Sequence, residues 1–191
     1  MTAPPSDDDL RATVAAVAAD YGRWGRLEAV LHVAPTDCRA PLSPGRAAST
    51  TRAMWSAGPE AATEDGAPSG HGKKLYSLYA RDPAAYRGVA SGAPQRDQVI
   101  VKATMRAVPY VMPGPGSLPS HVVQTEEGLF VPGEASGLFM MIRATGPEEG
   151  EAAWRYATVS PEGEITAAGR IASCVRCHAE APHGGLFGLG S

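Results

Sequence analysis

The spacing of apolar residues near the start of the chain predicts a helix. Apolar positions recur at alternating intervals of four and three from Leu10 to Leu31, behind the acidic run Asp7–Asp9. This pattern predicts an amphipathic helix over about residues 8–31, which packs on a sheet or contacts a second copy of the chain. The acidic run supplies its N-cap and first turn, while Gly22 and Gly25 weaken its second half.

The middle of the chain carries little periodicity. Residues 34–70 are rich in Pro, Ala, Ser, Thr and Gly, which predicts a long loop, and loops of this length often lie near functional sites. Residues 71–88 are predicted to be helical, with a short second helix that restarts at Pro83 and ends at Gly88. The residues that would share the apolar face of the first helix are Leu75, Leu78 and Tyr79.

From residue 97 the apolar period shortens to two, as in strands. Val99, Val101, Ala103 and Met105 would lie on one strand face, and Ile100, Lys102 and Thr104 on the other. Further strands are predicted at Leu138–Arg143, Trp154–Val159 and Glu164–Ala168, the last two joined by the turn Ser160–Gly163. The fold class is therefore α+β, mainly antiparallel sheet with flanking helices. We divide the chain into an N-terminal helix and irregular arm, 1–70, and a second unit, 71–191.

Composition narrows the classes of partner. The net charge is −3 and no basic run occurs, so nucleic acid and anionic membrane are not expected partners. No apolar stretch approaches the roughly 20 residues of a membrane span. Of 17 basic residues only three are lysines, Lys73, Lys74 and Lys102. Unlike arginine, lysine can lose its proton and act as a nucleophile, so each of the three is a chemical candidate as well as an ordinary surface residue.

The three cysteines do not form a disulfide framework. Cys38 is a lone thiol without an evident partner, whereas Cys174 and Cys177 belong to the run Cys-Val-Arg-Cys-His that ends at His178. This is the haem c attachment pattern: two thiols three positions apart add to two neighbouring vinyl groups of one haem, and the histidine supplies an axial nitrogen to the iron. The sequence therefore predicts one covalent haem.

Two other interpretations of the motif stay open. A thioredoxin-like thiol pair would follow a strand in a βαβ unit, and no such unit is predicted. A zinc site could use Cys174, Cys177, His178 and His183, although adjacent residues such as Cys177 and His178 chelate one tetrahedral ion poorly. Haem c attachment normally takes place outside the cytoplasm, yet Met1 to Asp9 shows no export signal. We therefore interpret the sequence as a mature or trimmed form of a periplasmic or otherwise extracytoplasmic protein.

Several segments before the motif resemble the cytochrome P-460 family over roughly residues 70–190. The similar segments are His71–Tyr76, Val99–Lys102, Gly137–Met141, Trp154–Ala157, Gly169–His178 and the tail Ala181–Leu189. The resemblance implies a mainly β protein, often a homodimer, with His178 as the proximal iron ligand and a distal face open to small molecules. It also implies that Lys102 corresponds to the lysine that hydroxylamine-oxidising members join covalently to the haem. The related cytochrome c′-beta proteins lack that bond and bind nitric oxide or carbon monoxide.

Other residues are candidates for the haem surroundings because of their type and their place in the sequence. Phe139, Tyr76 and Tyr79 are aromatic residues expected near a distal pocket, and Met140 or Met141 could supply a sixth iron ligand. Lys73, Lys74 or His183 could approach a haem propionate, and Arg143 or Arg155 could donate to a bound ligand. His71 and His121 are expected to be exposed loop residues.

Three functions fit these expectations. The first is oxidation of hydroxylamine or nitric oxide, with electrons passed to a redox partner protein. The second is binding of nitric oxide or carbon monoxide without turnover, and the third is electron transfer. The state of Lys102 and the sixth position of the iron distinguish them.

Overall fold

The computed structural model describes residues 7–34, 74–116 and 118–189. The protein is α+β, with three short α-helices and a seven-stranded antiparallel sheet among the described residues. The strands are β1 (His32–Val33), β2 (Lys74–Ala80), β3 (Val99–Pro109), β4 (Val123–Thr125), β5 (Gly128–Arg143), β6 (Trp154–Val159) and β7 (Ile165–Gly169). The helices are α1 (Asp7–Asp20), α2 (Pro83–Arg87) and α3 (Ala172–His178). This confirms the predicted fold class.

The strands follow one another in the order β1-β2-β3-β5-β6-β7, and β4 pairs with the first part of β5. Every pairing is antiparallel. The predicted strands at 138–143, 154–159 and 164–168 are all present, and Gly163 N–H donates to Ser160 O in the predicted turn. Alternation predicted β6, and a short apolar run predicted the strand at 138–143.

Helix α1 covers one face of the sheet, as predicted. Leu10, Val14 and Val17 pack there against residues of β3, β5 and β6 such as Val101 and Met140. The helix ends at Asp20, however, so the predicted extent to residue 31 is wrong. A single 3₁₀ turn follows and Gly25 takes a φ of 73°, which turns the chain toward the sheet.

The predicted helix at the start of residues 71–88 is also wrong where the structure describes it. Lys74–Ala80 is strand β2, in which Leu75 and Tyr79 lie on the α1 face and Leu78 on the other. The helical spacing of these three residues was coincidental, because pairing with β1 and β3 decides the conformation. The short helix after Pro83 is confirmed: Asp82 Oδ1 accepts from Ala85 N–H, and Gly88 follows the last turn.

The second sheet face carries the C-terminal part of the chain. Ile100, Met141 and Tyr156 form a buried cluster there with Leu186, and Cys174 and Val175 of α3 pack against it. The two-residue β1 joins the N-terminal segment to this same sheet, while the boundary at residue 70 stays a prediction. The long loop predicted for 34–70 lies outside the described residues from 35 onward. Among the described helices, none has the length and apolarity of a membrane span.

Candidate functional site

Helix α3 carries both motif cysteines. Cys174 and Cys177 stand three positions apart, so they are neighbours on the helix surface, and both have intermediate exposure. The chain leaves β7 through Gly169, whose φ is 120°, and α3 begins where Val175 N–H donates to Ile171 O. This geometry presents two thiols to one ligand beside the second sheet face.

The His178 ring is held in a defined orientation at the end of α3. Its Nδ1 lies 2.7 Å from the backbone oxygen of Gly185, and its ring contacts Tyr156 and Phe187 at centroid distances of 5.4 and 5.3 Å. Because a carbonyl only accepts hydrogen bonds, Nδ1 carries the proton of this contact, and in the neutral imidazole the lone pair is then on Nε2. An imidazole fixed in this way is prepared to ligate a metal through Nε2.

Gly185 is required by the packing around this contact. Its φ is 93°, and a Cβ there would lie 2.9 Å from Trp154 Cδ1. Trp154 Nε1–H in turn donates to Gly184 O over 2.8 Å. The tail after α3 is therefore attached to β6, and its position sets the acceptor of the His178 ring. Two adjacent glycines are the only local sequence feature that points to this role.

Tyr156, whose ring contacts that of His178, belongs to a polar network. Tyr156 O–H donates to Glu151 Oε1 over 2.9 Å, and Arg170 donates to both carboxylate oxygens at 2.9 and 2.8 Å. Burial, followed by the bond to Glu151, raises the pKa of Tyr156 well above its usual range. Tyr156 therefore stays a neutral donor. Sequence reasoning missed Glu151 and Arg170 as a pair because 19 residues separate them.

Lys102 lies on the same sheet face as α3. It alternates with Val101, which faces α1, and it shares its side of β3 with Ile100, a neighbour of Cys174 in the buried cluster. Its Nζ lies 4.3 Å from the ring centroid of Tyr76. Lys102 pairs with Phe139 of β5 and with Leu78 of β2. The structure thus brings Lys102, Tyr76 and Phe139 to the face that bears the motif helix.

Lys74 and Tyr79 differ from their predicted surroundings. Lys74 begins a strand rather than a helix, with Nζ 5.8 Å from the Phe139 ring centroid, and burial lowers its pKa. Tyr79 lies on the opposite face, edge-on to Tyr21 of the 3₁₀ turn after α1 at 4.9 Å. The expectation that Tyr79 lines a pocket beside the motif is therefore wrong.

The predicted sixth ligands are core residues. Met140 is buried on the α1 face, away from His178, and Met141 is buried in the cluster beneath α3. Arg143 lies over the Trp154 ring at 5.7 Å, and Arg155 donates to the backbone oxygens of Ala152 and Trp154. The contacts of all four side chains are therefore with other parts of the fold.

The two other predicted histidines that the structure describes lie in the C-terminal tail and on the surface. His183 is half-buried in the tail, where its backbone exchanges hydrogen bonds with Leu186, and His121 is exposed as predicted. Cys38, His71 and Lys73 lie outside the described residues.

The donor set suits a haem better than the alternatives. Over the described ranges, no three His, Cys, Asp or Glu side chains converge as metal ligands, so the zinc set is not assembled. The described strands form no parallel pair, which removes the context of a thioredoxin-like site. Two thiols on one helical turn and an oriented imidazole, bounded by aromatic rings, match what covalent haem attachment requires.

Comparison with known proteins adds no assignment. No protein-family model and no curated protein matches this chain. The likeness to the cytochrome P-460 family therefore depends on the sequence segments described above.

Proposed function

We propose that the chain is a mono-haem c-type cytochrome of the cytochrome P-460 type, acting on small nitrogen species such as hydroxylamine or nitric oxide. Cys174 and Cys177 would hold the haem by thioether bonds, and His178 would be the proximal iron ligand. When bound, the haem supplies one-electron chemistry and a site for a small ligand.

The observation that carries this proposal is the fixed His178 ring. Its Nδ1 donates to Gly185 O, so in the neutral imidazole the lone pair that an iron would take is on Nε2, and the carbonyl contact raises the basicity of that nitrogen. Tyr156 and Phe187 contact the ring from two directions. These contacts support His178 as the axial ligand of the proposed haem.

The other axial position decides between the three candidate functions. Met140 faces α1 and Met141 is core, so an electron carrier with a methionine ligand has no support among the described residues. A five-coordinate iron would bind hydroxylamine, nitric oxide or carbon monoxide directly. We place the ligand over Lys102, Phe139 and Tyr76, the half-buried polar and aromatic part of this face. Non-enzymatic gas binding is the alternative.

The proposed function also implies a cellular location and a redox partner. Thioether attachment implies a periplasmic or otherwise extracytoplasmic location, because haem c is normally attached there. Oxidation of a nitrogen species requires an electron-accepting redox partner protein. The resemblance to the family also implies that the protein forms a homodimer.

Covalent attachment is tested on the protein purified from a host that makes c-type cytochromes. Haem should stay with the polypeptide after denaturation and acid–acetone extraction, and Cys174→Ala with Cys177→Ala should lose it. Extractable haem in the unaltered protein, or zinc found by metal analysis, would refute the proposal.

The role of Lys102 separates the enzyme from the gas binder. We expect the haem-bearing tryptic fragment to join the peptides that contain Cys174 and Cys177, which trypsin separates after Arg176, to the peptide that contains Lys102. Forming such a carbon–nitrogen bond in place of a ring C–H removes two electrons and two protons, so an oxidant such as a peroxide must be present during maturation. Lys102→Arg should keep the haem at the cysteines, give an ordinary haem c spectrum and abolish hydroxylamine oxidation, because a guanidinium stays protonated. A fragment with the cysteine linkages alone would favour gas binding.

A further inference from the structure

A shielded carboxylate lies one phenol ring away from His178. Tyr156 is 2% exposed, and its ring contacts the imidazole with centroids 5.4 Å apart. The Tyr156 O–H donates to Oε1 of Glu151 over 2.9 Å, and the Glu151 side chain is only 13% exposed. Because little water screens a charge at such a position, that charge acts on its surroundings more strongly than a surface charge does.

Arg170 neutralises this carboxylate. Its Nη1 donates to Oε1 over 2.9 Å and its Nη2 donates to Oε2 over 2.8 Å, so the ion pair is bidentate. Nη1 also donates to the backbone oxygen of Glu151 over 3.1 Å. Among the described residues, Tyr156 and Arg170 are the side chains that donate to the Glu151 carboxylate. The group beside Tyr156 therefore carries no net charge while the pair is intact.

The pair joins two segments that position the motif. Glu151 belongs to the 3₁₀ turn Gly150–Ala153, which leads directly into β6. Arg170 stands between the end of β7 and Ile171, whose backbone oxygen accepts a hydrogen bond at the start of α3. Most ion pairs at protein surfaces contribute little, but this one is bidentate, has one shielded partner and adjoins the start of the motif helix. It therefore has a fixed place relative to the imidazole.

We propose that Glu151 and Arg170 set the reduction potential of a haem held by His178, an inference that rests on the proposed function. Glu151 fixes Tyr156 against the imidazole, and Arg170 cancels the charge of the carboxylate. When ferric iron takes up one electron and becomes ferrous, the site loses one positive charge. A nearby carboxylate therefore favours the oxidised state and a nearby guanidinium the reduced state, so the intact pair holds the potential between these two limits.

A redox titration at an electrode tests the inference without turnover. At pH 8, Arg170→Gln leaves the Glu151 charge unpaired and should lower the equilibrium constant for reduction roughly tenfold, the effect of one charge about 10 Å away at an effective dielectric constant of about 20. For one electron this is a fall of about 59 mV in the reduction potential. Glu151→Gln leaves the Arg170 charge unpaired and should raise the potential, by a smaller amount because the Arg170 side chain is 39% exposed.

Three further variants separate charge from structure. The double variant, Glu151→Gln with Arg170→Gln, has no charge at either position, so its equilibrium constant for reduction should return to within about twofold of that of the unaltered protein. Arg170→Lys keeps the cation and should do the same, although it loses the bidentate geometry. Arg23→Gln is the matched control: Arg23 pairs with Asp20 at the end of α1, their side chains are 85% and 48% exposed, and its loss should not move the potential.

The inference requires shifts of opposite sign in the two single variants and their cancellation in the double variant. The absorption spectrum should be the same in every variant, because His178 keeps its contact with Gly185 O. Shifts of the same sign, a larger shift in the double variant, or no shift in Glu151→Gln would overturn the inference in favour of a merely structural ion pair. If Arg170→Gln fails to fold, the sign of the shift in Glu151→Gln decides.

The same protein distinguishes this inference from the function on which it rests. If the haem is bound but hydroxylamine is not oxidised, the enzymatic part of the proposed function fails while the potentials still decide the role of Glu151 and Arg170. Protein without covalent haem overturns both.

Discussion

At the scale of single residues, the orientation of His178 depends on a glycine seven positions later. Gly185 accepts from Nδ1 through its carbonyl oxygen, adopts a φ of 93° and packs its Cα side against Trp154. The last two demands are met by glycine alone, because a side chain would be strained by the backbone and blocked by the indole. One position therefore couples backbone conformation, core packing and the proposed metal ligand.

We expect Gly185→Ala to destabilise the protein by ~2–4 kcal/mol, from backbone strain plus the clash with Trp154. Urea denaturation of the haem-loaded protein measures this loss. Gly163→Ala is the matched control, since Gly163 has a φ of 90° but nothing within 4 Å of its added Cβ, so only the strain of about 1 kcal/mol should remain. Equal losses in the two variants would show that Trp154 yields without cost.

The residues of the motif could be predicted from sequence, and their surroundings could not. The run from Cys174 to His178 has a spacing that only a few kinds of site require, so the motif can be recognised from the sequence. Gly185 and Glu151 are ordinary residue types, and they lie seven and 19 residues from His178 and Arg170. Their roles come from tertiary contacts, which no local pattern encodes.

At the scale of elements, the tail after α3 acts as a clamp on the motif helix. Leu186 is 2% exposed within the cluster that contains Trp154, Tyr156 and Ile100. Trp154 Nε1 holds Gly184, and Tyr86 O–H lies 3.5 Å from Gly188 O. The tail is thus bound on both sides of the residue that orients His178.

Leu186→Ala should cost ~2–4 kcal/mol of unfolding free energy, because it removes buried methyl groups and leaves a cavity. Thermal unfolding followed by circular dichroism checks this. Leu118→Ala, at a position that is 36% exposed, should change stability by less than about 1 kcal/mol. A loss in Leu186→Ala no larger than in this control would contradict a clamp that depends on Leu186.

The strands β3, β6 and β7 were predicted from sequence, whereas β2 and the end of α1 were not. Successive residues of β3 and β6 contact two different buried clusters, one beneath α1 and one beneath α3, as the alternation of a strand requires. β2 was mistaken for a helix because Tyr76 and Leu78 face the second side of the sheet, where polar and apolar residues are mixed, so the period of two is unclear. The predicted length of α1 was too great because Tyr21, Trp24 and Leu31 continue the helical spacing although they pack outside the helix.

At the scale of the whole molecule, buried phenols set the response to alkaline pH. Burial raises the pKa of Tyr76 to about 12 and raises those of Tyr86 and Tyr156 further above 10, the value in the unfolded chain. The folded protein therefore holds protons that the unfolded chain releases. Their contribution to stability is complete below pH 10 and is lost as the pH rises through the folded pKa values.

Unfolding free energy should accordingly fall between pH 10 and 12, by up to about 1.4 kcal/mol per pH unit for each such tyrosine. Tyr86→Phe should make the fall shallower, because one of the raised groups is gone. Tyr110→Phe, in the connection after β3, should leave the slope unchanged. Urea titrations at half-unit pH steps provide the comparison, and an identical slope in Tyr86→Phe would contradict the assignment.

The segment before residue 35 also determines how the sheet ends. It lies along the outer edge of β2, with His32 and Val33 paired to Tyr76 and Leu75, and with Leu27 N–H donating to Leu78 O. A fragment beginning at residue 71 would carry the whole motif yet leave seven residues of strand edge bare, ready to pair with the same edge of another copy. Aggregation would follow from missing backbone partners rather than from any defect in the site. The cover of this strand edge thus comes from a stretch of chain that lies outside the segments that resemble the family.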